Sequence, residues 1–415
     1  MSLSEEGGRK VVQENEKDCI EARMVMPLLD WFAENARKLM FRENPQPYYV
    51  WVSEIMLQQT RVEAVKEYFA RFIKELPDIR ALACVQEEKL LKLWEGLGYY
   101  TRAKNLKKAA VIVMEEYGGK LPSTKEQLCK LPGIGDYTAG AIASIAYGRA
   151  VAAVDGNVLR VMSRLLGDDS DIAKASVRKS FSARLEAVIP KDFAGAFNQA
   201  LMELGALVCL PNGKPLCGQC PLRKLCVAHR DNTWNQLPVK PAKKTRRREE
   251  RTVLFLEGED GFLVRKRPEE GLLAGLWEYP CLPGKKTQEE VGEFLTGTGY
   301  GMGKIMPLGD AKHIFSHIEW HMAGYYARLG ELLRESEKMC FENGASYGIM
   351  EKNFLEGCVS VTWEKLKAEY SVPSAFEAYR AAVEKLRKGG GETPENISPK
   401  KGKVKKARGK ERNGG

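Results

Sequence analysis

Two acids stand out among the residues of this chain that could do chemistry. Glu54 lies in Trp51-Val52-Ser53-Glu54-Ile55-Met56-Leu57-Gln58-Gln59-Thr60, a helical run with apolar neighbours. One reading is a solvated helix residue. The other is a carboxyl whose pKa burial raises until it can donate a proton. Asp155 is the single acid of Ala153-Val154-Asp155-Gly156-Asn157-Val158, where an aspartate more often caps a helix than catalyses. Neither acid decides anything alone.

Two further constellations narrow the chemistry. Leu131-Pro132-Gly133-Ile134-Gly135-Asp136-Tyr137-Thr138-Ala139-Gly140 opens an apolar helix after a short turn. Glycines one residue apart let the backbone approach a ligand closely and aim amide N–H groups outward, which suits a phosphate. The plain alternative is a tight turn between packed helices. With its leading Leu-Pro and trailing Thr-Ala, the run looks like the helix-hairpin-helix of DNA-repair proteins. The cysteines add a metal. Cys19, Cys84, Cys129, Cys281, Cys340 and Cys358 are scattered, but Cys209, Cys217, Cys220 and Cys226 follow Cys-x7-Cys-x2-Cys-x5-Cys. Structural zinc usually takes two CxxC pairs and only one is present, so an iron–sulfur cluster is the better reading.

These groups need a scaffold, and the chain offers two. Residues 1–22 are polar and read as a flexible arm. From 23 to 231 the pattern is helical: Leu28, Phe32, Ala36 and Leu39 recur at helical spacing, as do Val62, Val65, Phe69, Phe72 and Leu76. This predicts an all-α domain that includes the cysteine loop 209–226. Residues 232–251 form a Pro- and Lys/Arg-rich connector. Beyond it, Thr252–Leu256, Phe262–Arg265 and Tyr325–Leu329 read as short strands, and Gln288–Leu295 and Pro373–Leu386 as helical pieces. Residues 252–387 are therefore an α+β domain, and 388–415 a disordered basic tail.

Composition closes off other classes. The 415 residues are 44% hydrophobic, enough for packed cores. The longest apolar runs fall far short of a membrane span, and the polar N-terminus excludes a secretory signal, so a soluble intracellular protein is expected. Of the net charge of +10, the tail from Lys388 contributes nine Lys/Arg against three Glu, and Val239–Arg251 seven against two. The rest is nearly neutral, so any binding groove must be basic by local arrangement.

Together the motifs resemble the helix-hairpin-helix DNA glycosylase superfamily of endonuclease III type, with its C-terminal 4Fe–4S cysteine loop. Within it they resemble the adenine DNA glycosylase (MutY) family. Glu-x-Met-Leu-Gln-Gln-Thr, Gly96-Leu-Gly-Tyr-Tyr100, the Leu131–Thr138 run and Ala153-Val-Asp-Gly-Asn157 stand in that family's order. Tyr137 stands where bifunctional lyases carry a lysine nucleophile, which favours monofunctional base excision. In the second half, Gly271–Pro280 and His313–Trp320 resemble the family's Nudix-like domain, without the metal-binding box of Nudix hydrolases between Gly284 and Gly301. Two departures stand against the family pattern: seven rather than six residues separate the first two cluster cysteines, and the tail after Lys388 has no counterpart.

The resemblance implies a role for each matched position. Glu54 would protonate adenine and Asp155 would stabilise the cationic sugar, with Tyr137 and Asn157 orienting the acids and water. Arg42 would contact the base, and Gln59 and Tyr99 would wedge the vacated stack. Leu131, Gly133 and Gly135 would hold a DNA phosphate, with a monovalent cation as a further ligand of that turn. Phe315, Ser316 and His317 would read 8-oxoguanine; without its neighbours Ser316 would pass for a turn-capping serine. The implied cofactor is a 4Fe–4S cluster on Cys209, Cys217, Cys220 and Cys226, with Arg223 and Lys224 facing the phosphate backbone. The implied partner is double-stranded DNA holding adenine opposite 8-oxoguanine or guanine, bound by a monomer. The compartment would be the cytoplasm and its nucleoid in a prokaryote, or the nucleus in a eukaryote. Three alternatives remain at this point: a glycosylase/lyase for oxidised pyrimidines, a non-catalytic damage-binding module, and a nucleotide-pool hydrolase using the second domain.

Overall fold

The computed structural model describes residues 19–241, 245–332 and 354–388, which fall into two compact units, residues 1–243 and 244–415. Most of the expected arm, all of the tail beyond Lys388, and Cys340 lie outside the described residues. No helix among the described residues is long and apolar enough to cross a membrane.

The first unit is helical, with no strand among its described residues. Helix α1 (Ile20–Asn35) begins three residues inside the segment expected as an arm, because Cys19 caps it: Sγ accepts the Ala22 N–H at 3.4 Å. It stops before Ala36 and Leu39, which were expected to continue its stripe; Asn35 donates through Nδ2 to the Trp31 carbonyl at 2.9 Å. After α2 (Met40–Glu43) comes α3 (Pro47–Leu57), with proline at its first position, where a missing N–H costs nothing. This helix is buried almost all round, Val50 to Met56 included, so the solvated reading of Glu54 is set aside.

Helices α4 (Val62–Glu75), α5 (Ile79–Cys84), α6 (Glu87–Trp94) and α7 (Thr101–Glu116) follow. The glycine turn then joins α8 (Lys125–Leu128) to α9 (Asp136–Ala141), which runs on into a π-helical turn at Ile142–Ala146. The rest is α10 (Gly156–Leu166), α11 (Ala175–Glu186), α12 (Ala194–Leu207) and α13 (Val227–Arg230). Met24 and Leu28 of α1, Val158 and Met162 of α10, and Phe197, Leu201 and Leu204 of α12 share one core. That core fixes the ends of α10 and α12 that carry polar groups.

Both ends of the expected 232–251 connector are corrected. Leu237 is buried in the helical unit, its carbonyl accepts Arg164 Nε at 2.9 Å, and the Val239 carbonyl accepts the Ile172 N–H at 3.2 Å. At the other end Arg247–Arg251 already belong to a strand.

The second unit is a mixed sheet with helices. Its strands are β1 (Arg247–Gly258), β2 (Gly261–Lys266), β3 (Trp277–Glu278), β4 (Cys281–Pro283), β5 (Tyr300–Met302), β6 (Met306–Ile314), β7 (Ile318–Leu332) and β8 (Cys358–Val361). The order is β3-β2-β1-β7-β5, with β4 on β1, β6 on β7 and β8 on β2. The long β1 and β7 pair in parallel, Arg247 against Ile318 through Glu257 against Arg328, while the other pairs are antiparallel. The apolar run Val253–Leu256 splits by strand alternation, Val253 and Phe255 into one core and Leu254 and Leu256 into another. Helices α14 (Gln288–Gly297), α15 (Trp363–Glu369) and α16 (Glu377–Lys388) complete the unit.

Candidate active site

Glu54 and Asp155 line the same cleft, about 1030 Å³ in volume, together with Tyr137, Asn157, Arg42, Gln59 and Gly135. A space at the upper end of the small-molecule range admits a base and its attached sugar. Each acid is held differently. Glu54 projects from buried α3, is only 7% exposed, and accepts a short hydrogen bond from the Tyr137 hydroxyl. Burial pushes its carboxyl above the ordinary range, with Tyr137 and Arg42 opposing and Asp155 adding to the rise. The Tyr137 hydroxyl is itself pushed up by burial and by Glu54, so it stays a donor.

Asp155 is both things the sequence left open, a helix cap and a cleft acid. Its Oδ1 accepts the N–H groups of Asn157 and Val158 at 2.8 and 2.7 Å at the start of α10, and Oδ2 accepts Asn157 Nδ2 at 2.7 Å. Burial raises this carboxyl too, against those three donors and the charge of Arg160. Asn157 is fixed in turn: Arg160 Nη2 donates to its Oδ1 at 2.9 Å and to the Gly205 carbonyl at 2.8 Å, while Nε reaches the Cys209 carbonyl at 2.8 Å. Gly205 of α12 leaves room for this, since a Cβ there would lie 2.6 Å from Asn157 Cβ.

Sequence reasoning missed a third acid. Glu203, on α12 and fully buried, lines the cleft and accepts Arg37 Nε and Nη2 at 2.8 and 2.7 Å and Arg42 Nη1 at 2.5 Å. Burial alone would raise it, but the Arg37 hydrogen bond and Arg42 hold it below the ordinary range. The available signal was a lone acid in the apolar run Ala200-Leu-Met-Glu-Leu-Gly-Ala206. Arg42 therefore reaches the cleft already paired.

Gly133 takes φ +79°, a conformation other residues resist, and Gly135 begins α9 with no side-chain cap. The first amides of α9 thus have no side-chain cap, and helix-start amides of this kind suit an anion. Leu131 is buried beneath the turn. Tyr99 is 47% exposed, and its hydroxyl donates to Gln59 Oε1 at 2.7 Å.

The four clustered cysteines wall one small apolar cavity with Arg164, His229 and Trp234, and all four are free thiols. Among the described residues no trio of His, Cys, Asp or Glu converges on a single ion. Four cysteine sulfurs around one cavity, with Arg164 Nη1 3.3 Å from Cys209 Sγ, are by their chemistry a donor set for a metal ion or an iron–sulfur cluster.

Residues 52–187 match the HhH-GPD superfamily of base excision DNA repair proteins, and residues 251–382 match the NUDIX domain family. The adenine DNA glycosylase of Buchnera aphidicola subsp. Acyrthosiphon pisum is 34% identical over 320 residues, 76% of this chain and 90% of that one. The chain belongs to the adenine DNA glycosylase family. The human adenine DNA glycosylase is 35% identical over 352 residues, 70% of this chain and 64% of that protein. Among solved structures, a thermostable thymine-DNA glycosylase aligns with a TM-score of 0.48 at 27% identity, covering 51% of this chain and 97% of its own.

Of the positions expected in an adenine DNA glycosylase, the cleft gathers Glu54, Asp155, Tyr137, Asn157, Arg42 and Gln59. Phe315, Ser316 and His317 belong to the second unit, at the turn between β6 and β7. Phe315 packs edge-on against Trp320 at 4.8 Å and its N–H donates to the Ile318 carbonyl at 2.8 Å, while Ser316 and His317 are exposed. In α14, Glu290 forms a reciprocal capping box with Thr287.

Proposed function

We propose that this adenine DNA glycosylase family member hydrolyses the N-glycosidic bond of adenine paired with 8-oxoguanine, and less efficiently with guanine, without lyase activity. The observation that carries the reading is the meeting of Glu54, bonded to Tyr137, and Asp155, bonded to Asn157, in one cleft beside an open helix N-terminus.

A base inside a duplex is out of reach, so adenine must first leave the stack at a cost of about a few kcal/mol. Gln59 and Tyr99 take its place, and the Gly133–Gly135 turn holds a phosphate of the same strand. In the cleft the Glu54 carboxyl gives its proton to an imidazole-ring nitrogen of adenine. The glycosidic bond breaks, and its electron pair leaves with the base. Water adds to the sugar carbon and its proton returns to Glu54, giving free adenine and an abasic site. Asp155, whose carboxylate form its three N–H donors favour against burial, faces the cationic sugar. Arg42, held by Glu203, offers the base edge a donor. Tyr137 supplies no amine, so no imine forms; borohydride trapping of a covalent enzyme–DNA adduct would reverse that part.

Cys209, Cys217, Cys220 and Cys226 would hold a 4Fe–4S cluster, whose contribution when bound is to fix the loop bearing Arg223 and Lys224. Ser316 would hydrogen-bond the oxidised purine. Use of the second unit for recognition is supported by the resemblance of His313–Trp320 to the family's Nudix-like domain and by the missing hydrolase metal box between Gly284 and Gly301. The test is adenine release from duplexes with adenine opposite 8-oxoguanine, guanine or thymine, for the wild type and Ser316→Ala. Preference for 8-oxoguanine that falls with the substitution supports the reading; release without preference removes the role of Ser316, and no release removes the substrate.

A further inference from the structure

Gln59 and Tyr99 lie 40 residues apart in sequence, yet their side chains bond to each other. Both hold left-handed backbone conformations, φ +59° and +48°, which non-glycine residues adopt only where the surroundings impose them. One buried side chain reaches both segments. Arg102, in the first turn of α7, sends Nη1 to the carbonyls of Ile55, Met56 and Gln58 at 2.7, 3.0 and 2.7 Å. Its Nη2 donates to the carbonyls of Leu97 and Gly98, both at 3.0 Å. Nη1 thus serves the end of α3 that leads to Gln59, while Nη2 serves the loop that leads to Tyr99 and also reaches Thr60 Oγ1 at 3.5 Å, so the one guanidinium ties the two segments together. The guanidinium also lies 5.4 Å from the ring of Trp94, whose Nε1 donates to the same Gly98 carbonyl at 3.2 Å.

From this fork we propose that Arg102 is the positioning residue that locks the Gln59 and Tyr99 segments into a single rigid wedge. It never touches DNA; it acts through the two tips above it. This rests on the reading of Gln59 and Tyr99 as the wedge, although the lock itself does not. Burial lowers the Arg102 pKa to about 10, so the group stays charged at neutral pH. A lysine keeps the charge but has a single terminal nitrogen, so it cannot occupy the Nη1 and Nη2 positions of the fork at once.

The experiment compares wild type and Arg102→Lys as full-length protein, by hydrogen exchange and by single-turnover adenine release. The amides of Thr60 and Leu97, bonded to the carbonyls of Leu57 and Trp94, report the two segments. Those of Ala139 and Leu159, at the starts of α9 and α10, are controls. Both reporters are expected to exchange about tenfold faster in the variant, with the controls unchanged. Release is expected to fall about 10- to 100-fold for adenine opposite 8-oxoguanine, and less than about threefold where it faces an abasic analogue and needs no unpairing. Faster exchange at Thr60 alone would reduce Arg102 to a cap on α3 and overturn the proposal. Faster exchange at the controls too, or equal slowing on both duplexes, would make it a general stabiliser and overturn it as well. If wild type releases adenine from neither duplex, the functional reading fails while the exchange pattern still decides the lock.

Discussion

The cleft around Glu54 and the turn at Ser316 are built on opposite plans. In the cleft the polar groups are buried and partnered: Glu54 by Tyr137, Asp155 by three N–H groups, Glu203 by two arginines. At the turn, Phe315 anchors to Trp320 while Ser316 and His317 stand in solvent. Buried partners fix protonation and geometry before any ligand arrives, which chemistry at a reacting atom requires. Exposed side chains on a short, anchored turn can meet a ligand without disturbing the core, and under the proposed function their part is to tell one base from another. Changes in the cleft should therefore move rate and stability together, and changes at the turn discrimination alone.

The sharpest break is Glu54→Gln, which should slow single-turnover adenine release by about 10²- to 10⁴-fold. Its stability should carry a pH signature. The folded state keeps a proton on Glu54 that the unfolded chain releases above 4.5. The stability due to that proton is complete below 4.5 and is lost as pH rises through the native pKa. Glu54→Gln should gain on wild type in thermal melts over that range. Glu203, held below 4.5, carries the opposite sign: its contribution is present above 4.5 and is lost as pH falls through the native value.

Asp155 allows the two roles of one side chain to be separated. Asp155→Asn keeps the backbone cap through its amide oxygen but turns an N–H group toward Asn157 Nδ2, so release should drop by about 10²–10³ with a small loss of melting temperature. Asp155→Ala should add a stability loss of about 1 kcal/mol in denaturant titrations. A wild-type rate in the asparagine variant would leave Asp155 as a cap alone. Next in size, Arg160→Met frees Asn157 and should cost about 10- to 100-fold in rate through misplacement. It should also cost about 1–3 kcal/mol through the carbonyls left unpaired, seen by the same two measurements. Smallest is Ser316→Ala: one hydrogen bond to the opposite base, about 1 kcal/mol or roughly fivefold in discrimination. The melting curve should not move, and a shifted one would mean the turn is built more like the cleft.

What could be read from the sequence follows the same division. The glycine turn, the two acids and the cysteine cluster were legible because each is a local spacing with a local physical reason. Glu203, Arg102 and Arg160 were not, because their meaning lies in partners 40 or more residues away: Arg42 with Glu203 across 161 positions, and Arg160 with Gly205 across 45. The all-α and α+β halves were legible from periodicity, but the reach of β1 and β7 was not. Arg247–Arg251 read as linker by charge, yet they pair with Ile318–Met322. The stripe through Ala36 and Leu39 misled because Ala36 turns extended, with ψ 132°, and no glycine or proline marks that end of α1.

Gly205 carries a lesson for interpreting inherited or laboratory variants of this protein. It sits inside a helix, where replacing glycine by alanine ordinarily favours the helix by roughly 1 kcal/mol. A propensity-based assessment would score Gly205→Ala as benign or even beneficial. The single added methyl would occupy the space of Asn157 Cβ, 2.6 Å away, and displace the side chain that holds Asp155. A mildly scored change beside the cleft can thus impair the enzyme through the side chain that holds Asp155.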